Sequence, residues 1–346
     1  MTSILANAAG RFDVAVVRLA QALARRQAGA GPSHGERLQR LDETARAYQA
    51  IPAEQFFAAP PAPRGLTASH VRDLPLGGEC VDLQWESGWQ PQEPLGRAGY
   101  LAFAENRFAQ ARLLRHARPS PAIICLHGYR AGVHRLEELA WNAMRLYRLG
   151  LDVALLTLPF HARRAPRGRL APMFPSARTG RTVEGFGQAV WDLRALLGWL
   201  RARGAPHVGV AGMSLGGYTA ALAATVEPRL DFAVLFIPLG DLTDVAVEHE
   251  ALRGQQIPEA LREAGKRALQ LIRPLARKPV IPGSRILVVA AKGDRITALE
   301  THAVMLARHF SAPLVTFPGG HLIQLGRQVG FAAMDRLLES AGVLQP

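Results

Sequence analysis

Gly212-Met213-Ser214-Leu215-Gly216 sets one serine between two glycines, after the apolar run "HVGVAG" and before a helix-length segment. G-x-S-x-G at a strand-to-helix turn presents a hydroxyl for nucleophilic attack. The serine takes a strained backbone conformation, and small residues two before and two after it keep the cramped turn free of clashes. A plain tight turn is the competing reading of the same five residues. A serine hydroxyl attacks only when a base removes its proton, and that base must be held in one tautomer by an acid. Two later stretches supply both in the required chain order. "VVAAKGDRIT" places Asp294 directly after an apolar run, and "LVTFPGGHLIQL" places His321 at a glycine-flanked turn after the next one. Each has a plainer alternative: Asp294 as the N-cap of a helix starting near Ile296, and His321 as a turn residue. Asp241 and Asp244, in "PLGDLTD", compete for the acid role; Asp294 ranks ahead of them without removing them.

Acyl transfer also needs donors for a developing oxyanion. The helix after Ser214 offers the N–H of Leu215 at an end where the helix dipole is positive. A second donor is expected from the loop after "AIICLH"; a backbone N–H needs no particular side chain, and it is assigned to Tyr129. His127 reads as a residue that fixes this loop, and His161, in "LPFHARR", as structural at the border of a pocket. Arg163, Arg164, Arg167 and Arg169 make a basic loop. A solvated surface is its favoured reading, and a clamp for an acidic substrate group the alternative.

These residues need a frame. The runs "AIICLH", "LDVALLTL", "HVGVAG", "DFAVLFI", "RILVVAA" and "PLVTFP" are apolar on both faces, as parallel strands covered by helices are. Between them lie the helix-length segments "HRLEELAWNAMRLYRLG", "TVEGFGQAVWDLRALLGWLRARG" and "ITALETHAVMLARHF". In the second, Phe186, Val190, Leu193, Leu197 and Leu200 make one stripe, and Gly204 stands where a C-cap belongs. The alternation predicts an α/β fold with a doubly wound, mostly parallel sheet of about eight strands. "ECVDLQWE" and "RFAQARLLRH" add a hairpin-like pair before it. Residues 240–283 are too long for a simple crossover and predict a small helical cap. "PFHARRAPRGRLAPMFPSARTGR" follows the carboxyl end of a strand, where open α/β sheets place their sites. These two segments are expected to set specificity.

Residues 1–75 read as a helical extension and linker, and 76–346 as the catalytic domain. Leu5, Ala8, Phe12, Val16, Leu19 and Leu23 recur at helical spacing, "GERLQRLDETARAYQ" continues the pattern, and "AAPPAPRG" is a proline-rich connector. The helices are expected to pack on the main domain or on a second copy, as a homodimer. A membrane-surface role is disfavoured by Asp13 and by the abundance of alanine.

Composition bounds the partners. With 49% apolar and 20% charged residues the chain suits a globular core. No run approaches the roughly 18–20 apolar residues of a membrane span, and no basic leader with an apolar block opens the sequence, so neither stable membrane insertion nor secretion is expected. The net charge of +13 comes from scattered arginines, with Lys266, Lys278 and Lys292 the only lysines. No zinc-ligand spacing or nucleic-acid motif accompanies it, so no nucleic-acid partner is expected. "GVAGMSLGG" lacks the endings of a phosphate loop. Cys80 and Cys125 are too few for a disulfide framework, which points to the cytoplasm, with Cys125 as a core thiol.

"LHGY", "GMSLGGY", "KGDRIT" and "GGH", in that order, make the chain from about residue 76 onward resemble an α/β-hydrolase fold serine hydrolase of the esterase/lipase kind. Its look-alikes are poorly characterised bacterial members carrying "LPFH..R" after the fourth strand. The resemblance implies a Ser214, Asp294, His321 triad, oxyanion donors at Tyr129 and Leu215, no cofactor, and a small-molecule ester as substrate. His-Gly-Tyr stands where some members carry a glycine triplet, which argues against bulky tertiary-alcohol esters. The same triad also serves peptidases or amidases, thioesterases and acyltransferases. A non-catalytic binding protein on this scaffold is the remaining alternative.

Overall fold

The computed structural model describes residues 2–27, 32–169, 172–176, 178–251 and 254–344, though not the side chains of residues 2, 3, 19–27 and 95. Helices α1 (Thr2–Gln27) and α2 (His34–Tyr48) and the single turn α3 (Ala53–Phe56) precede strands β1 (Arg64–Asp73) and β2 (Glu79–Glu86). Helix α4 (Pro94–Leu101) leads to β3 (Phe108–Arg115) and β4 (Ala122–Leu126), and the short pair α5 (His134–Ala140) and α6 (Ala143–Arg148) to β5 (Asp152–Leu156). The long α7 (Thr179–Ala202) runs into β6 (Val208–Met213), followed by α8 (Leu215–Ala224) and β7 (Ala233–Phe236). Then come α9 (Leu242–Ala251), α10 (Glu259–Leu269), β8 (Ile286–Ala291), α11 (Met305–Phe310), β9 (Leu314–Phe317) and α12 (Gln328–Ser340).

The strands of the described residues form one nine-stranded sheet in the order β1-β2-β3-β5-β4-β6-β7-β8-β9. β1, β2, β3 and β5 pair antiparallel in turn, and every pairing from β5 through β4 to β9 is parallel. The parallel register sets Leu126 beside Gly212, Met213 beside Phe236, and Ala291 beside Phe317. The loops after β4, β6, β7, β8 and β9 therefore emerge along one edge. Burial explains why these runs are strands: Ile124 and Leu126 pack with Val190, Leu193 and Leu197 of α7 on one face, while Ile123 and Cys125 join Trp141 and Leu146 on the other. The stripe read on α7 is buried throughout, and Gly204 follows the helix with φ 93°.

Three local expectations change. The sheet of about eight strands gains a ninth, β1, which lies in the 1–75 stretch read as helical extension and linker. It is an edge strand exposed along almost its whole length, so it carries no apolar signal. The segment read as one helix over "HRLEELAWNAMRLYRLG" breaks into α5 and α6 at Asn142, whose left-handed φ of 49° stops the first helix. On α1, Leu5 and Phe12 of the apolar stripe face outward, and the buried side is Ala9, Gly10 and Asp13. Leu19 and Leu23 of that stripe lie outside the residues whose side chains are described.

The N-terminal helices join the main body. Helix α2 opens on a capping box between Ser33 and Glu36 and lies along α10. Its last residue, Tyr48, donates to Glu184 of α7 at 2.7 Å, and the same buried carboxylate accepts from Trp89 Nε1 and from the N–H groups of Gln92 and Glu93. The stretch 240–283 holds α9 and α10, and α2 lies beside α10.

Candidate active site

Ser214 connects β6 to α8 at φ 55° and ψ −113°, a conformation that L-residues avoid. The turn can form only because its neighbours are glycine. A Cβ on Gly212 would meet the backbone of Gly216 and lie 2.7 Å from the nitrogen of Gly217; one on Gly216 would meet Leu126 and come within 2.8 Å of the carbonyl oxygen of His127. Main-chain bonds hold the elbow in place, Ser214 N donating to Phe236 O at 2.9 Å and Tyr218 N to Ser214 O at 3.0 Å.

Three strand ends meet here. Oγ of Ser214 lies 2.9 Å from Nε2 of His321, and Nδ1 of His321 lies 2.7 Å from Oδ2 of Asp294. That arrangement fixes the tautomer: Nδ1–H donates to the carboxylate, and Nε2 accepts from the serine. Asp294 is not the N-cap of a helix starting near Ile296, since residues 295–299 form turns and α11 begins only at Met305, but it does cap the turn that follows it. Its Oδ1 accepts from the N–H of Ile296 at 2.9 Å and of Thr297 at 2.8 Å, and its Oδ2 accepts from Thr297 Oγ1 at 2.9 Å. Burial alone would raise the Asp294 pKa, but the charge and hydrogen bond of His321 and the two N–H groups outweigh it and hold the acid below its ordinary value. Burial pulls His321 down; Asp294 and, more weakly, Asp13 push it up, and the net displacement is upward.

Gly128 sits against Ser214, with a Cβ built on it 3.6 Å from that of the serine. Among the described residues the N–H groups of Tyr129 and Leu215 have no acceptor, and both residues line the cavity above Ser214. His127 fixes the loop: its Nδ1–H donates to Gly128 O at 2.7 Å and its Nε2 accepts from Leu158 N at 3.0 Å. Burial first, then the neighbouring His161, keeps its pKa well below the ordinary histidine value. His161 is fully buried, and burial lowers its pKa to about 4.

The rival acids are engaged elsewhere. Asp241 pairs with Arg273 and accepts from Thr243 N, and Asp244 pairs with Arg262. Arg164 fits neither reading of the basic loop. It is wholly buried, donates to Thr157 O and Asn106 O, and approaches Asp192 to 2.8 Å as an ion pair too poorly aligned for a hydrogen bond. Arg163, Arg167 and Arg169 are exposed and outside the cavity lining.

The cavity over Ser214 encloses about 850 Å3. Leu242 and Val245 of α9 and Leu261 and Leu269 of α10 make much of its wall, while among the described residues of the 161–181 loop Pro175, Ser176 and Thr179 line it. Helix α2 adds Arg37, Arg40 and Leu41, a contribution that sequence reasoning missed. It also missed Asp13. This carboxylate is completely buried, and it accepts from the N–H of His321 at 2.8 Å and of Leu322 at 3.1 Å. The available signal was a lone acid on a face of small residues, Ala6, Ala9 and Gly10. Among the described residues no cluster of three or more His, Cys, Asp or Glu could hold a metal, and no helix is long and apolar enough to cross a membrane.

A mostly parallel sheet with a serine elbow after β6 and an acid and a histidine after β8 and β9 is the architecture of the α/β-hydrolase fold, and this chain is an α/β-hydrolase-fold protein. Residues 106–247 match the family described as alpha/beta hydrolase domain containing 18. Proteins Rv2627c and MT2702 of two Mycobacterium tuberculosis strains are each 32% identical over 274 residues, 77% of this chain. The chain spans 65% of the length of these relatives. Among solved structures, acetyl xylan esterase from Paenibacillus sp. R4 superposes with a TM-score of 0.58 at 17% identity, covering 87% of this chain and 94% of its own. Acetyl xylan esterase 1 from Thermoanaerobacterium sp. JW/SL YS485 gives 0.55 at 16% identity, covering 90% and 95%.

Proposed function

We propose that this protein is a serine hydrolase that cleaves carboxylic esters of small or medium size through an acyl-enzyme intermediate. The observation that carries this reading is the relay from Asp294 through His321 to Ser214, on a strained turn beside two unengaged backbone N–H groups. Ser214 Oγ attacks the ester carbonyl carbon while His321 Nε2 takes its proton. The N–H groups of Tyr129 and Leu215 hold the tetrahedral oxyanion. Collapse breaks the carbon–oxygen bond to the alcohol, which leaves with the proton from His321. A water molecule then gives a proton to His321 as it attacks the acyl-serine carbonyl; collapse breaks the bond to Ser214 Oγ, which takes the proton back from His321, and the carboxylic acid leaves. Asp294 keeps the imidazole in its working tautomer and stabilises the imidazolium. None of these steps calls on a metal or an organic cofactor.

The stretch 240–283 acts as a cap and supports an acyl pocket, since Leu242 and Val245 of α9 and Leu261 and Leu269 of α10 line the cavity that holds the serine. The two acetyl xylan esterases share the fold, which adds weight to ester chemistry. Cys80 and Cys125 are buried free thiols, consistent with the reducing cytoplasm as the place of action.

The test is hydrolysis of p-nitrophenyl esters from acetate to dodecanoate by the wild type and Ser214→Ala, with fluorophosphonate labelling of each. Turnover and labelling that both vanish in the variant support the reading. Labelling without ester turnover moves it to the amide, thioester or acyl-transfer reactions of the same triad. A folded wild type that does neither overturns it and leaves a binding role.

A further inference from the structure

We propose that Asp13 is a positioning residue for His321: the carboxylate that α1 buries behind the site ties together the two loops carrying Asp294 and His321. The inference rests on the serine-hydrolase reading only for its effect on turnover. The hold on His321 stands on geometry alone.

Asp13 is completely buried, and its described partners are three main-chain N–H groups. Oδ2 accepts from His321 N at 2.8 Å and, more loosely, from Arg295 N at 3.4 Å; Oδ1 accepts from Leu322 N at 3.1 Å. Arg295 directly follows Asp294, so one side chain spans the acid-bearing and the histidine-bearing loop. A buried carboxylate without a cationic partner is costly, and an apolar side chain would dock a helix with less penalty. Three converging N–H groups meet that cost, and they come from the segments whose spacing sets the Asp294–His321–Ser214 relay.

Small residues let α1 approach closely enough for this contact. A Cβ built on Gly10 would lie 2.8 Å from the carbonyl oxygen of Gly293, and one on Gly320 would lie 2.8 Å from Asp13 Oδ2 and 3.0 Å from Ala9 Cβ. The charged groups bearing on the imidazole are Asp294, from the loop after β8, and Asp13, from α1; Ser214 and Thr297 face it as neutral hydroxyls.

The experiment is an NMR titration of His321, assigned with His321→Gln, in the wild type, Asp13→Asn and the exposed-face control Leu5→Ala. Ester kcat and KM are measured on the same samples. In Asp13→Asn the His321 pKa should fall, and kcat should drop about tenfold to a hundredfold with KM little changed, as a small misplacement of a reacting group does. Leu5→Ala should match the wild type. A folded Asp13→Asn protein with the wild-type titration and kcat overturns the proposal. If Asp13→Asn does not fold, Gly10→Ala decides in its place: it lifts α1 while keeping the carboxylate, and the same two readouts must fall. A wild type without turnover or fluorophosphonate labelling strikes the serine-hydrolase reading, and the titration still decides the role of Asp13.

Discussion

Nε2 of His321 lies 2.9 Å from Oγ of Ser214, and the serine it faces is held at φ 55° and ψ −113°. The strain and the hydrogen bond belong together. Relaxing the backbone would swing the hydroxyl away from the imidazole, so the fold stores the cost at the point where the chemistry needs the geometry.

Glycine at position 214 should separate the two. It removes the nucleophile and accepts the positive φ without penalty, so Ser214→Gly should lose turnover by a factor on the order of 10⁶. Relief of about 1–3 kcal/mol of strain, offset by roughly 0.5–1 kcal/mol of extra chain entropy, should leave it more stable by about 1 kcal/mol. Denaturant melts and ester assays of the one variant check both.

Asp294→Asn keeps acceptors for Ile296 and Thr297 but turns an amide N–H toward Nδ1 of His321. The wrong tautomer should cost about 10⁴-fold in kcat. The sign of the pH effect follows from His321, whose folded pKa is raised: activity appears as pH climbs through that value and the base loses its proton. The acid limb of kcat/KM should therefore lie above the ordinary histidine value in the wild type and move to lower pH in Asp294→Asn. A limb that stays in place counts against the pairing.

Val245 of α9 lines the cavity of about 850 Å3. Val245→Trp should fill part of it and shift the chain-length optimum toward shorter acyl groups. Each excluded methylene forfeits about 0.8 kcal/mol, roughly a fourfold factor in kcat/KM. An unchanged profile across the p-nitrophenyl series would place the acyl chain elsewhere.

His161 titrates near pH 4 in the folded chain against 6.5 as its ordinary value. Between those values the unfolded chain binds the proton first, so stability falls as pH drops from about 6.5 toward 4. His127, displaced in the same direction, adds to the slope. His161→Asn keeps a donor for Pro159 O and does not titrate there. Its melts should show lower stability near neutrality, from lost packing, and a flatter decline with acid.

Features dictated by local sterics and burial are legible in the chain. The elbow is a problem of five residues, and Gly212 and Gly216 declare it because no side chain fits at either place. The strands β4 to β8 are legible because being covered on both faces demands unbroken apolar runs, the half-buried edge strand β9 keeps a shorter one, and Ser214, Asp294 and His321 then fall after strand ends in order. Features that depend on partners far along the chain wait for the packed fold. Which of Asp241, Asp244 and Asp294 stands beside His321 depends on where Arg273, Arg262 and His321 sit in the packed chain. Arg164 is buried because Asp192 awaits it. β1 is a strand because β2 offers it an edge, with no apolar pattern to announce it. Helix α1 docks through Ala9, Gly10 and Asp13 and leaves Leu5 and Phe12 outside, because the close approach to Gly293 and Gly320 favours small side chains over large apolar ones.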